Sequence, residues 1–140
     1  VLWGGVAAKK NAIGSTAAEL SFFHLGEADA PGRPTRNRSL DTVGVRLIRE
    51  PKAGAWDHEA EVFYQFGTVR AGLAATAPQL DVAAWFVHAD IGYTFAGGWK
   101  PRVSVDFDYA SGESAGAKVT RFDTLFGMRR AELAPSGLYN

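Results

Sequence analysis

The chain has 140 residues, 46% of them hydrophobic and 21% charged, enough to bury one ordinary domain and too apolar for a disordered segment. Its 15 basic and 15 acidic residues cancel, so composition gives no reason to expect nucleic acid or an anionic surface as partner. Zero cysteines exclude disulfides, thiolate metal sites and a cysteine nucleophile, and no apolar run is long enough for a transmembrane helix, a test that is blind to transmembrane strands.

The chain opens at Val1 without a charged and then apolar leader, which reads as the trace of processing or truncation. Its first pieces, "VLWGGVAA" and "TAAELSFFHLG", are expected as two strands joined by "KKNAIGS". The second of them has a competing helical reading, because Thr16 and Glu19 carry the spacing of a capping box and Gly26 could stop a helix. A lone short helix among strands would have little to pack on, so the strand is preferred.

In "RNRSLDTVGVRLIRE" the residues Val43, Val45 and Leu47 alternate with Thr42, Gly44 and Arg46, and the second parity runs back to Arg38 and Arg36. After the turn-like "EPKAGAW", the stretch "HEAEVFYQFG" sets Ala60, Val62, Tyr64 and Phe66 against Glu59, Glu61, Phe63 and Gln65. From 81 to 95, Ala83, Trp85, Val87, Ala89, Ile91, Tyr93 and Phe95 share a face opposite Val82, Ala84, Phe86, His88, Asp90, Gly92 and Thr94. The turn "AGGWKP" then leads into "RVSVDFDYAS", where Val103, Val105, Phe107 and Tyr109 oppose Arg102, Ser104, Asp106 and Asp108.

This pattern has two opposite solutions. A soluble sheet turns the apolar face inward, whereas a membrane barrel turns it toward lipid and keeps the charged face hydrated. Two features favour the barrel. Connections alternate between short (9–16, 50–56, 96–100) and long (26–37, 68–80, and the tail after 111), as tight periplasmic turns and longer external loops do. Trp56, Tyr93, Phe95 and Trp99 gather at the short-turn ends, while Tyr109 and Trp85 lie toward the other, as interfacial girdles require.

On the membrane assignment the hydrated face collects Arg36, Arg38, Arg46 and Arg102 beside Glu59, Glu61, His88, Asp90, Asp106 and Asp108. These ten are the candidate pore-lining residues. Catalytic signals are weak: His24, His58 and His88 show no paired metal-ligand spacing and read as surface or lumen residues. Asp106 and Asp108 share a face about 7 Å apart, a spacing open to glycoside chemistry but common on strands. No nucleophile elbow, phosphate loop or dinucleotide fingerprint is present. No enzyme activity, metal or cofactor is expected.

The tail carries more information. "DYASGES" followed by "RFDTLFGMRRAELAPSGLYN", together with "LWGGVAAKKNAIGSTAAEL", "HEAEVFYQFG" and "ADIGYTF" upstream in the same order, resembles the alginate export family of Gram-negative outer-membrane β-barrels. The resemblance covers nearly the whole chain. It implies a large monomeric barrel in the outer membrane that passes a polyanionic sugar or other small solute through a charged lumen. Within it, the loop from about 112 to 140 would fold outside or into the lumen, with Arg121, Asp123, Arg129 and Arg130 as candidates for a constriction or polyanion contact.

Three departures stand out: only about six strands, no terminal aromatic strand, and Glu113 where the family has Asp. A lumen of mixed charge also differs from the positive path that alginate would require. The expectation is therefore an all-β antiparallel meander of about six strands. It is one partial domain over 1–140 that is completed by further strands of a porin-like barrel. Its partners would be the lipid bilayer and small polar or anionic saccharides. The alternative is a soluble β-barrel binding module.

Overall fold

The computed structural model describes residues 1–113 and 118–125. Six long strands, β1 (Leu2–Ile13), β2 (Thr16–Gly26), β3 (Ser39–Arg49), β4 (Ala55–Arg70), β5 (Gln79–Thr94) and β6 (Arg102–Ala110), are followed by a two-residue β7 (Lys118–Val119). The long strands lie side by side in chain order, every neighbouring pair antiparallel, and β7 pairs parallel with β5. This is the all-β meander of six strands expected from the alternation, drawn out as a single open sheet.

The helical alternative for Thr16–Gly26 loses because β2 is paired on both sides, from Leu2↔Leu25 to Lys9↔Ala18 with β1 and from Ala17↔Ile48 to Gly26↔Ser39 with β3. Coiling it would strip hydrogen-bond partners from both neighbouring strands at once. Tight turns at 14–15, 50–54 and 95–101 mark one end of the sheet, with Gly14 and Gly54 in the left-handed region at φ 60° and 74°. The opposite, long-loop end carries 27–38, 71–78 and the segment after Ala110. The connection read as 68–80 is partly strand, because β4 and β5 continue pairing as far as Arg70↔Gln79. Conversely, Arg36 and Arg38 precede β3 rather than extending it.

Side-chain period two sorts the sheet into two unlike faces. One bears Val43, Val45, Val62, Tyr64, Trp85, Ile91, Val103, Val105, Phe107 and Tyr109, all exposed. The other carries the charged residues, and near the long-loop end it holds the only buried apolar cluster among the described residues. That cluster is Leu25, Leu40, Val69, Val82 and Ala84. Val119, Phe122 and Leu125 pack onto it, so residues 118–125 lie over the charged face, not the apolar one. These side chains are only partly buried, so the contact contributes less than full burial would.

Aromatic rings on the apolar face form two groups. Trp56, Tyr93 and Phe95 stack at the short-turn end, with ring centroids 5.2 and 5.1 Å apart. Trp3 with Phe22, Tyr64 with Phe66, and Trp85 with Tyr109 pair toward the other end at 5.4, 5.8 and 4.6 Å. From Tyr93 to Trp85 the strand climbs about 26 Å. At the tilt of a barrel strand this is roughly 20 Å, close to the height of a membrane barrel's apolar band.

Candidate functional site

The charged face is built by cross-strand register. Glu19, Arg46, Glu61, His88 and Asp108 stand in one row across β2 to β6, and Glu59, Asp90 and Asp106 in the next. Arg46 donates to Glu59 at 2.7 Å and reaches Glu19 at 3.3 Å. Arg102 bonds Asp57 at 2.5 Å, Asp90, and the Ser104 hydroxyl at 2.8 Å. It lies flat over Gly92, where a Cβ would overlap the guanidinium. Asp57 is 2% exposed, one of its oxygens takes two Arg102 donors, and the other has no hydrogen-bond partner among the described residues. Asp57 and Glu19 escaped the sequence reading, the first between the turn-like segment and the strand that follows it and the second as a capping residue. Their signal is register with Arg102 and Arg46, visible only once strands are paired.

At the long-loop end the charges are arranged differently. Arg38 forks onto both oxygens of Glu27 at 2.9 and 2.5 Å and sends its third donor 2.7 Å to Asp123. Glu27 is thereby held below the usual carboxylate range and Arg38 more firmly protonated. Asp29 accepts from Arg70 at 2.6 and 2.8 Å and from the Thr35 amide at 2.8 Å, which lowers its carboxyl to about 2. Gln65, fully buried, bonds Thr42 and exchanges two 3.0 Å hydrogen bonds with the backbone of Asp123. The segment around Asp123 is thus latched to β4 from beneath and to Arg38 from the side.

Two hollows result. A cavity of about 120 Å³ is lined by Arg36, Arg38, Arg121, Asp123 and Glu113 with apolar neighbours. A groove of about 840 Å³ runs beneath residues 122–125, bounded by Phe23, Phe63, Phe86, Glu59, Glu61, His88, Asp106 and Asp108. Of the sequence candidates, all ten strand and pre-strand residues and two of the loop residues, Arg121 and Asp123, gather on this one face; Arg129 and Arg130 lie outside the described residues.

The family model described as alginate export matches residues 2–138. The chain belongs to the alginate export family. Comparison with curated proteins and with solved structures returned no match.

Within this alginate export fold the three histidines take two settings. His24 and His58 sit on the apolar face, His24 bonded to Asp41 at 2.8 Å beside Trp3, and His58 to Thr16 at 3.3 Å. Both lie at its margins, level with the aromatic groups, where the cost of polarity falls. His88 does have metal-type neighbours, because its ligand atom and those of Asp106 and Asp108 lie within 4.8 Å of one another. Spacing along the chain could not show this; pairing of β5 with β6 creates it. His88 Nδ1 is already hydrogen-bonded to Asp108 at 2.8 Å, so within this group the histidine and one carboxylate are joined to each other.

Proposed function

We propose that this alginate export chain forms part of the wall of a larger outer-membrane barrel, with its charged face lining a water-filled lumen through which polar, saccharide-like solutes pass without catalysis. What carries the reading is which face is open and which is covered. Exposed apolar side chains such as Val45, Val62, Ile91, Val105 and Phe107 form an unbroken surface far beyond what a soluble monomer leaves in water. The chain's own segment 118–125 covers the charged side instead. A soluble module would place its cover on the other face.

The edges argue the same way. β1 and β6 are each bonded on one side only among the described residues, and nearly all their residues are exposed. Bare edges of this length invite pairing, and closure into a barrel removes them. Six strands alone are too few to enclose a channel of this kind. The wall charges set selectivity, and segment 118–125 narrows the path at the long-loop end.

The test is planar-bilayer conductance of the full-length protein. Arg46→Glu with Arg102→Glu should move ion selectivity toward cations, since each replaces a guanidinium between carboxylates by another acid. An unchanged reversal potential would mean that these side chains do not face the permeation path.

A further inference from the structure

Arg102 and Arg46 reach their acids by different routes. Arg46, on β3, bonds Glu19 on β2 and Glu59 on β4, each on a strand directly beside its own. Arg102, on β6, passes over β5 to reach Asp57 on β4. It crosses at Gly92, which stands in register between Asp57 and Ser104. A Cβ at position 92 would lie 2.5, 2.6 and 2.7 Å from Arg102 Nη2, Cζ and Nε, far inside van der Waals contact, so no other residue type lets the guanidinium rest there.

The crossing decides what the lumen meets at this end. Asp57 is buried, and Arg102 is its side chain's only hydrogen-bond partner among the described residues, with Nε and Nη2 converging on one carboxylate oxygen at 3.0 and 2.5 Å. Nη2 also meets Asp90, and Nη1 the Ser104 hydroxyl. Pressed to the wall, one cation stands against two carboxylates, and the group is left net negative. A side chain at position 92 would push the guanidinium outward, away from both acids, and its field would then be less cancelled where solutes pass. We propose that Gly92, which carries neither charge nor side chain, is a selectivity-determining position of the pore: it keeps Arg102 against the wall and so biases the short-turn end of the lumen toward cations. This rests on the reading of the charged face as a hydrated wall.

The test is the reversal potential of the full-length protein in planar bilayers under a salt gradient, measured for Gly92→Ala, Arg102→Gln and the two combined. Gly92→Ala alters no charge, yet it should raise the anion-to-cation permeability ratio about twofold, the effect of moving a unit charge several ångströms in water. Arg102→Gln should move the ratio the other way, and adding Gly92→Ala to it should change nothing further, because no guanidinium is left to displace. If Gly92→Ala alone fails to insert, insertion restored by Arg102→Gln supports the crossing, whereas failure of both variants shows that Gly92 serves the backbone and overturns the proposal. A shift that persists in the Arg102→Gln background, or no shift from Gly92→Ala while Arg102→Gln moves the ratio, would overturn it with the channel reading intact. No response to Arg102→Gln itself would defeat the hydrated-wall reading and this inference with it.

Discussion

Single residues on this face act through neighbours that are distant in sequence. Asp29 is the clearest case: it reaches across the 27–38 loop to Arg70, and its carboxyl falls to about 2 as a result. A lowered folded-state value means that the bond contributes stability above the ordinary carboxylate range and loses it as pH falls toward 2. Hydrogen exchange at the Thr35 amide, which Asp29 accepts, should therefore show steady protection down to about pH 4 and progressive loss below it. Asp29→Ala, which has no acceptor, should lack that protection at every pH. The chain gave no hint of Asp29, because an acid in a Pro- and Gly-containing loop looks like any solvated turn. The same holds for Gln65, whose alternation placed it on the right face but not beneath Asp123.

Elements were far more legible. Alternation over Thr42–Leu47, Glu59–Phe66, Val82–Thr94 and Arg102–Tyr109 assigned strands and faces that the register reproduces, since a slip of one residue would turn every charge to the apolar side. What periodicity could not reveal is where an aperiodic tail goes. Segment 118–125 is held by two weak devices, a two-residue parallel pairing to β5 and the Asp123 contacts with Gln65 and Arg38, over a small apolar cluster. Asp123→Ala removes the Arg38 ion pair and the side-chain bond to the Leu125 amide, while the backbone exchange with Gln65 remains. Losing a partly buried charge-assisted bond costs about 1.5–3 kcal/mol, a large share of what holds so short a segment. Single-channel recording of the Asp123→Ala protein should show larger or noisier conductance than the parent. Identical traces would mean that the segment does not bound the path.

At the scale of the whole molecule, charges of both signs run the length of the sheet. At the long-loop end Arg38 is matched by Glu27 and Asp123 and Arg70 by Asp29, with Arg36, Arg121 and Glu113 around the same cavity, while toward the short-turn end Glu59, Glu61, Asp90, Asp106 and Asp108 surround Arg46 and Arg102. A lumen lined in this way would not be the uniformly positive track that a polyuronate favours. Mixed charge was legible in the sequence, but which cation faces which acid was not, because that depends on strand register as well as on parity.

The central claim is that the even-numbered face of β6 is hydrated and its odd-numbered face meets lipid. The absence of native cysteine makes it directly measurable. Single cysteines at Ser104, Asp106 and Asp108, and at Val103, Val105 and Phe107, would be probed in the full-length protein in membranes with a charged, water-soluble thiol reagent. Reaction at the first three and silence at the second three is the expected result; labelling of Val103, Val105 and Phe107 with protection of the even positions would contradict the barrel orientation outright.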